Sequence, residues 1–276
     1  MKYANLHLHS NHSDAEFTPE QLLLIGKSIG YSALALTDHE TDNGTLELMK
    51  AARPLGVHVM AGVEFDGVYE DAYPHIVALD YDMDEPGIRA FIKERVDIQC
   101  ARTKTLFEYG TKIGVIDGFS WDDVVKYNPD GAWLCINSVY NTYKTLKLKA
   151  PDNLRDAVWK SDFAKSTVAP RPKAEDIIKV IRNAGGVAVL AHPNNQTRFI
   201  PKLVEAGLNG VEVSHPGITA ETISLAEEMA KEYNLYCCGG TDHSGPMSGC
   251  GGRHAFPTFA GITEEQFTIL RERKLG

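Results

Sequence analysis

His7 and His9 stand one residue apart at the end of a short apolar lead containing Tyr3, Ala4 and Leu6. In extended backbone alternate side chains share a face. The two imidazoles therefore point one way while Leu6 and Leu8 point into packing. Two imidazoles on rigid backbone are half of a metal site. Ligand-type residues recur at the ends of later apolar runs: Asp38-His39, Glu64, His75, His192 and Asp242-His243. A lone histidine is usually a surface or hydrogen-bonded core residue, although histidine is the commonest metal ligand. Recurrence at one predicted rim carries the weight, because burying so many such groups together without cations is costly.

The elements that carry these residues alternate between short β-type runs and amphipathic helices, the pattern of an α/β fold. Strands are expected over residues 3–9, 32–36, 57–63, 75–79, 187–191, 208–213 and 235–239. Thr18 opens a helix with Pro19 in its first turn and Gln21 completing a capping box, and Gly30 ends it. Further helices are expected over 44–55, 174–184 and 219–233, with a last one from Thr263.

The rhythm breaks between about 84 and 170, where Ile88, Phe91, Ile92, Val96 and Leu106 form a helical stripe. There Ser120 looks like a helix start and Asn128-Pro129-Asp130-Gly131 a turn. The expected organisation is a first barrel part over 1–84, a helical insertion capping the barrel mouth over 85–170, and a second barrel part over 171–276. In such barrels the chemistry collects where strand C-termini meet their loops.

The 276-residue chain is 43% hydrophobic and 24% charged, as in soluble globular proteins. No run approaches the ~18 apolar residues that would span a bilayer, and the first residues do not read as a signal peptide. Five cysteines without CxxC spacing suit a reducing cytoplasm. A net charge of -9 argues against duplex nucleic acid as a partner. No membrane partner is expected, and the oligomeric state stays open.

As an ordered set, several segments resemble the PHP (polymerase and histidinol phosphatase) superfamily of metal-dependent phosphoesterases. They are His7-Leu8-His9 with Ser13-Asp14, Leu36-Thr37-Asp38-His39, Gly62-Val63-Glu64, His75, the run from Gly185 to Pro193, Gly210-Val211-Glu212-Val213 and Gly240-Thr241-Asp242. The resemblance implies a distorted (β/α)7 TIM-like barrel and two or three divalent metal ions. His7, His9, Glu64 and Asp242 would hold one ion. Glu64, His75 and His192 would hold a second, with Glu64 bridging. Asp14 and His39 would hold a third, together with a histidine from the last strand, His243. The family usually ends in Asp-x-His, whereas this chain reads Asp242-His243-Ser244. Extended backbone would turn Asp242 and Ser244 to the site and His243 away, and a bend at Gly239-Gly240 would bring His243 in. Mixed imidazole and carboxylate ligation suits Mn, Fe or Zn without choosing among them.

The expected activity is hydrolysis of a small phosphorylated metabolite, nucleotides included, by attack of metal-bound hydroxide on phosphorus. A metal ion lowers the pKa of bound water from about 15.7 to roughly 7. His215 would bind phosphate or protonate the leaving oxygen, and Asp38 would act beside it by orienting a histidine. Arg198, Arg171 and Arg253 are the cations considered for a substrate phosphate, with Arg198 foremost because it follows the His192 loop. Relatives acting on nucleotides carry an Arg-Pro-His segment in the insertion, where this chain reads Cys135-Ile136-Asn137-Ser138-Val139-Tyr140. Two other functions stay open. One is an amidohydrolase acting on C–N bonds, whose barrel also opens with His-x-His but adds a bridging lysine. The other is a non-catalytic scaffold.

Overall fold

The computed structural model describes residues 2–245 and 260–275. Arg253, considered above for a substrate phosphate, lies outside the described residues, as does most of the glycine-rich stretch 245–252.

Local signals set the helix ends where the sequence places them. Helix α1 (Pro19–Ile29) is capped by Thr18, whose side chain accepts from the Gln21 N–H while Gln21 reaches back to Thr18, and Gly30 closes it at φ 106°. Such a cap contributes about 1 kcal/mol, and the left-handed closing residue is natural only for glycine. Helix α2 (Asn43–Ala52) follows. Helix α3 (Pro86–Lys112) is a single 27-residue rod. Next come α4 (Trp121–Lys126), capped by Ser120, α5 (Ile136–Thr145) and α6 (Asp162–Ser166). The second half supplies α7 (Ala174–Asn183), α8 (Ile200–Glu205), α9 (Ala220–Glu232) and α10 (Glu264–Arg271).

The strands form a mixed α/β arrangement of two sheets. Strands β1 (Ala4–Asn5), β2 (Ala33–Leu34) and β3 (His58–Val59) pair in parallel in that order. Strands β4 (Gly62–Asp66), β5 (His75–Leu79), β6 (Val187–Leu190), β7 (Gly210–Ser214) and β8 (Tyr236–Gly239) form the second sheet in sequence order. Backbone bonds join the sheets at both margins. Leu6 N–H donates to Gly239 O at 3.1 Å and Asp242 N–H to His7 O at 2.9 Å, while Glu40 N–H donates to Glu64 O at 2.8 Å.

Two expectations about strands are corrected. The run 57–63 is not one strand. Met60 N–H still bonds Leu34 O of the first sheet, but Ala61 O already accepts from Asp80 N–H beside the second. The chain thus changes sheets between Met60 and Gly62, and Glu64 lies inside β4 instead of after a strand. Strand β5 also runs against its neighbours β4 and β6, while β6, β7 and β8 are parallel. Its reversal brings His75, the first residue of β5, beside Asp66, the last of β4.

Alternation along the strands divides the core. Ile76, Ala78, Ala188 and Leu190 pack with Phe65, Ile177, Ile181 and Leu203 under α7 and α8. Val77, Leu79, Val187 and Val189 face Ala4, Leu6, Ala33, Tyr236 and Phe267, a core drawn from both sheets. Each fully buried large side chain contributes about 1.5–3 kcal/mol relative to exposure. Helix α3 ties two regions together. Ile88 and Ile92 join the first core, whereas Leu106 and Phe107 join a separate cluster with Val124, Val139 and Val158.

Candidate metal centre

Glu64 is 1% exposed and its two oxygens face different imidazoles. Oε2 lies 3.4 Å from His7 Nε2, 3.2 Å from His9 Nε2 and 3.5 Å from His39 Nδ1. Oε1 lies 3.0 Å from His75 Nδ1 and 3.2 Å from His192 Nε2. Asp242 Oδ1 adds contacts of 3.0 Å to His9 and 3.6 Å to His7, and Asp14 Oδ1 faces His9 Nδ1 at 3.7 Å. All of these except His7 line a cavity of about 390 Å³, together with His215, Asn194, Gly217 and Ser244.

The backbone is bent to reach this geometry. His192 and Asp242 both have positive φ, 28° and 48°. Such conformations are uncommon for non-glycine residues and persist where surrounding structure enforces them. Glycine is required at 240, because a Cβ there would strike the His7 backbone nitrogen.

Charge in the cluster fits a cation. Burial alone would lower the His7 pKa, but Glu212, Glu64 and Asp242 raise it well above its ordinary value. Burial likewise opposes protonation of His39, yet Glu64, Asp66 and Asp14 push it up to about 10. Glu64 shows the mirror image: burial would raise it, and His7, His75, His39 and His192 hold it well below the carboxylate range. Asp242 is depressed in the same way, against burial, by His7, His215 and His9. The carboxylates thus require positive charge among them, which protons supply in the metal-free chain and a divalent ion would replace. His9 Nδ1, Asp14 Oδ1, His39 Nδ1 and Asp66 Oδ1 are buried with no hydrogen-bond partner. Ligand atoms gather closely enough for metal binding in His7-His9-Asp242, His7-Glu64-His192, His9-His39-Glu64 and His39-Asp66-His75. Nitrogen and carboxylate oxygen donors of this kind suit a divalent ion.

Two of these contributors carry no role in the sequence reading. Glu212, mid-strand in β7, accepts at 2.8 Å from His7 Nδ1 and at 2.7 Å from the His192 N–H. Its signal is an acidic residue within an apolar strand. Asp66 shares a face of β4 with Glu64, two residues on, and lies 3.3 Å from His39 and 3.4 Å from His75.

Other expected site residues lie elsewhere. His243 is buried, stacks on Phe17 at 5.6 Å and does not line the central cavity, while its neighbours Asp242 and Ser244 do. Among the described residues Asp38 makes no hydrogen bond or ion pair with a histidine. It accepts from Ser10 N, Ser10 Oγ and Ser13 Oγ at 2.6–2.7 Å, and so ties down the loop between His9 and Asp14. Arg198 is exposed and pairs with Asp71 at 3.1 Å. Arg171 lies over Tyr73 and lines a different cavity. His215 does reach the central cavity. Its Nδ1 accepts from Gly217 N–H at 2.9 Å, and its Nε2 lies 3.2 Å from Asp242 Oδ2. From the helical region, Trp133 covers His39 with ring centres 5.3 Å apart, and Asn137 donates to the Asp14 carbonyl.

Fold and site define a mixed α/β protein with a clustered imidazole–carboxylate centre able to hold divalent metal. The PHP domain model matches residues 5–147, just over half the chain, and the chain belongs to that family. Among its relatives, the phosphoribosyl 1,2-cyclic phosphate 1,2-diphosphodiesterase of Eggerthella lenta is 28% identical, the alignment covering 87% of this chain and 94% of the relative. A 5'-3' exoribonuclease of Haemophilus influenzae is 29% identical over 89% of this chain and 91% of its own. The 3',5'-nucleoside bisphosphate phosphatase of Chromobacterium violaceum is 28% identical over 98% and 95%. A solved structure from Bifidobacterium adolescentis, assigned to the metal-dependent phosphoesterases, shares the fold with a TM-score of 0.79 at 22% identity, over 99% of this chain and 96% of that one.

Proposed function

We propose that this protein is a metal-dependent phosphoesterase, a hydrolase acting on a phosphorylated metabolite or on the phosphorylated end of an RNA. The observation that carries the reading is Glu64. A carboxylate whose two oxygens face separate imidazole groups is suited to bridge two ions. His7, His9 and Asp242 would complete one site, and His75 with His192 a second. Asp14 and His39, with Asp66 beside them, would serve a third. Mn, Fe and Zn all suit these donors. Bound there, divalent ions neutralise phosphoryl charge and make water nucleophilic at neutral pH.

The chain's own residues then orient and protonate. Glu212 holds His7 in one ring orientation and pins the His192 backbone. His215 accepts at Nδ1, so Nε2 carries its proton, at the cavity wall where a leaving oxygen would emerge. Asp38 acts through the serine loop as a positioning residue. The two sheets, hydrogen-bonded at both margins and sharing one core, support the reading of a distorted barrel. Helices α3–α6 serve as an insertion over its mouth, supported by Trp133 and Asn137 against the site. No lysine lines the central cavity among the described residues, which speaks against the C–N hydrolase alternative.

The test is metal analysis of the purified protein, with a panel of phosphorylated metabolites, 5'-phosphorylated RNA and amides, beside Glu64→Ala. Phosphate release that Glu64→Ala abolishes supports the reading. Equal turnover by both proteins, or hydrolysis of amides alone, overturns it.

A further inference from the structure

Asp66 follows Glu64 by two residues on β4. Phe65 between them points into the core, so the two carboxylates share the opposite face. Asp66 ends β4 directly opposite His75, the first residue of β5. His39 reaches the same corner because its backbone bridges Glu64 in parallel register. Three separate segments thus converge there. Asp66 is held from behind, its backbone N–H donating to Glu40 Oε1 at 3.1 Å.

The spacing at this corner is not that of hydrogen bonds. Asp66 Oδ1 lies 3.3 Å from His39 Nδ1 and 3.4 Å from His75 Nε2. N–H···O bonds run from about 2.7 to about 3.2 Å. His39 Nδ1 and Asp66 Oδ1 are buried without a hydrogen-bond partner among the described residues. Leaving a buried polar atom unsatisfied costs about 1–3 kcal/mol. The same spacing fits a shared ion. Two ligand atoms each about 2.1 Å from a metal stand about 3.0 Å apart at a right angle and about 3.4 Å apart at the tetrahedral angle. The three ligand atoms lie within 4.8 Å of one another. Burial would raise the Asp66 pKa, but His75 and His39 hold it well below the carboxylate range, so its oxygen is anionic.

The residues first expected beside His39 do not converge in this way. Asp14 faces His9 Nδ1 at 3.7 Å and joins none of the groups of three ligand atoms among the described residues. His243 stacks on Phe17 and does not line the central cavity. His75 is free to use Nε2, because Nδ1 lies 3.0 Å from Glu64 Oε1, the kind of carboxylate contact that orients a ligating imidazole. Glu64 and His192 still gather with His7 for another ion. We propose that His39 Nδ1, Asp66 Oδ1 and His75 Nε2 form a divalent-metal site of their own, with Asp66 as a ligand. The third ion then needs neither Asp14 nor His243, and His75 serves it instead of the second. His39 and His75 line the central cavity, so an ion held between them would add positive charge to its wall. The inference rests on the phosphoesterase reading for the use made of that charge, and not for its test.

The test counts ions and needs no turnover. The full chain, Asp66→Asn and Asp14→Asn are stripped with EDTA, dialysed against Zn²⁺ and analysed for metal per chain. Asp66→Asn should hold one ion fewer than the unaltered chain, and Asp14→Asn the same number. Asparagine keeps the size and a neutral oxygen, so the loss reads the anionic ligand and not a cavity. Circular dichroism of the metal-free proteins verifies folding. Crystals of the unaltered chain soaked in Zn²⁺ should show an anomalous peak about 2.0–2.2 Å from Asp66 Oδ1. That measurement decides the matter if Asp66→Asn fails to fold. A full complement of metal in Asp66→Asn, or no peak at that oxygen, overturns the site. An equal loss in Asp14→Asn also overturns it, since removal of any nearby negative charge would then explain both. Phosphate release by a chain with no ion at Asp66 overturns the site and leaves the phosphoesterase reading intact. An ion held by Asp66, in a chain that hydrolyses no phosphate ester, supports the site and refutes that reading.

Discussion

Glu212→Gln is the sharpest test of how the centre is held. Glu212 does not line the cavity, yet it serves two donors at once, His7 Nδ1 at 2.8 Å and the His192 backbone N–H at 2.7 Å. It is ionised there. Burial would raise its pKa, but His7, His215 and His192 hold it below the usual value. Glutamine keeps the volume and one carbonyl oxygen, while its amide group donates and cannot accept. One of the two bonds must therefore be lost and the other becomes neutral. A hydrogen bond to a charged group contributes about 1.5–3 kcal/mol, and a neutral one about 1. The net loss at the metal-bound state is about 2 kcal/mol, or about 30-fold in metal affinity. Loss of a partner that orients a metal-ligating histidine typically costs 10–100-fold, in the same range. The assay is chelator competition, with melting temperatures of metal-free and metal-loaded protein. Weaker metal binding is expected, together with lower metal-free melting, because both bonds are already made without the metal. Metal affinity within about twofold of the unaltered chain would refute the orienting role.

Other consequences follow from the same geometry. His39 has a folded pKa of about 10 against an ordinary 6.5, so the metal-free fold binds a proton that the unfolded chain releases between those values. Its stabilising contribution is complete below about 6.5 and is lost as pH rises through about 10. A metal must displace that proton, so metal affinity should rise with pH across the window, and pH-independent affinity by calorimetry between pH 7 and 9 would contradict this. Gly240→Ala forces a Cβ onto the His7 backbone and should destabilise by about 1–3 kcal/mol, read as a lower melting temperature with weakened metal binding. Thr18→Ala, remote from the centre, should lower stability by about 1 kcal/mol in urea and leave metal affinity unchanged.

Much of the fold was legible locally. The caps at Thr18, Ser120 and Thr263 and the left-handed stop at Gly30 stand where their residue types place them, because capping is a matter of a few adjacent atoms. The break from the α/β rhythm beyond residue 84 corresponds to α3 and the helices after it. Strand 57–63 was misread because its apolar pattern runs on through Met60 and Ala61, whereas the hydrogen bonds change partner there. Asp66 was overlooked because a carboxylate at a strand end looks like any solvated residue until His39 and His75 arrive from other strands. Arg198 was favoured by its closeness in sequence to His192, yet its side chain turns to Asp71.

By itself the sequence determined which groups could bind a cation and which of them share a face, because side-chain alternation along a strand is a property of the backbone alone. It also determined the pattern that marks the PHP family. Strand direction and partner choice were decided only in three dimensions. Reversal of β5 lets His75, at the beginning of its strand, join residues that follow or end theirs. Tertiary packing alone brings Arg95 and Arg102 of α3 to Arg171, some seventy residues later, and turns His243 onto Phe17. Periodicity specifies which way a side chain points from its own element. What it meets depends on long-range pairing, whose free energy is shared among many residues and written in no short segment.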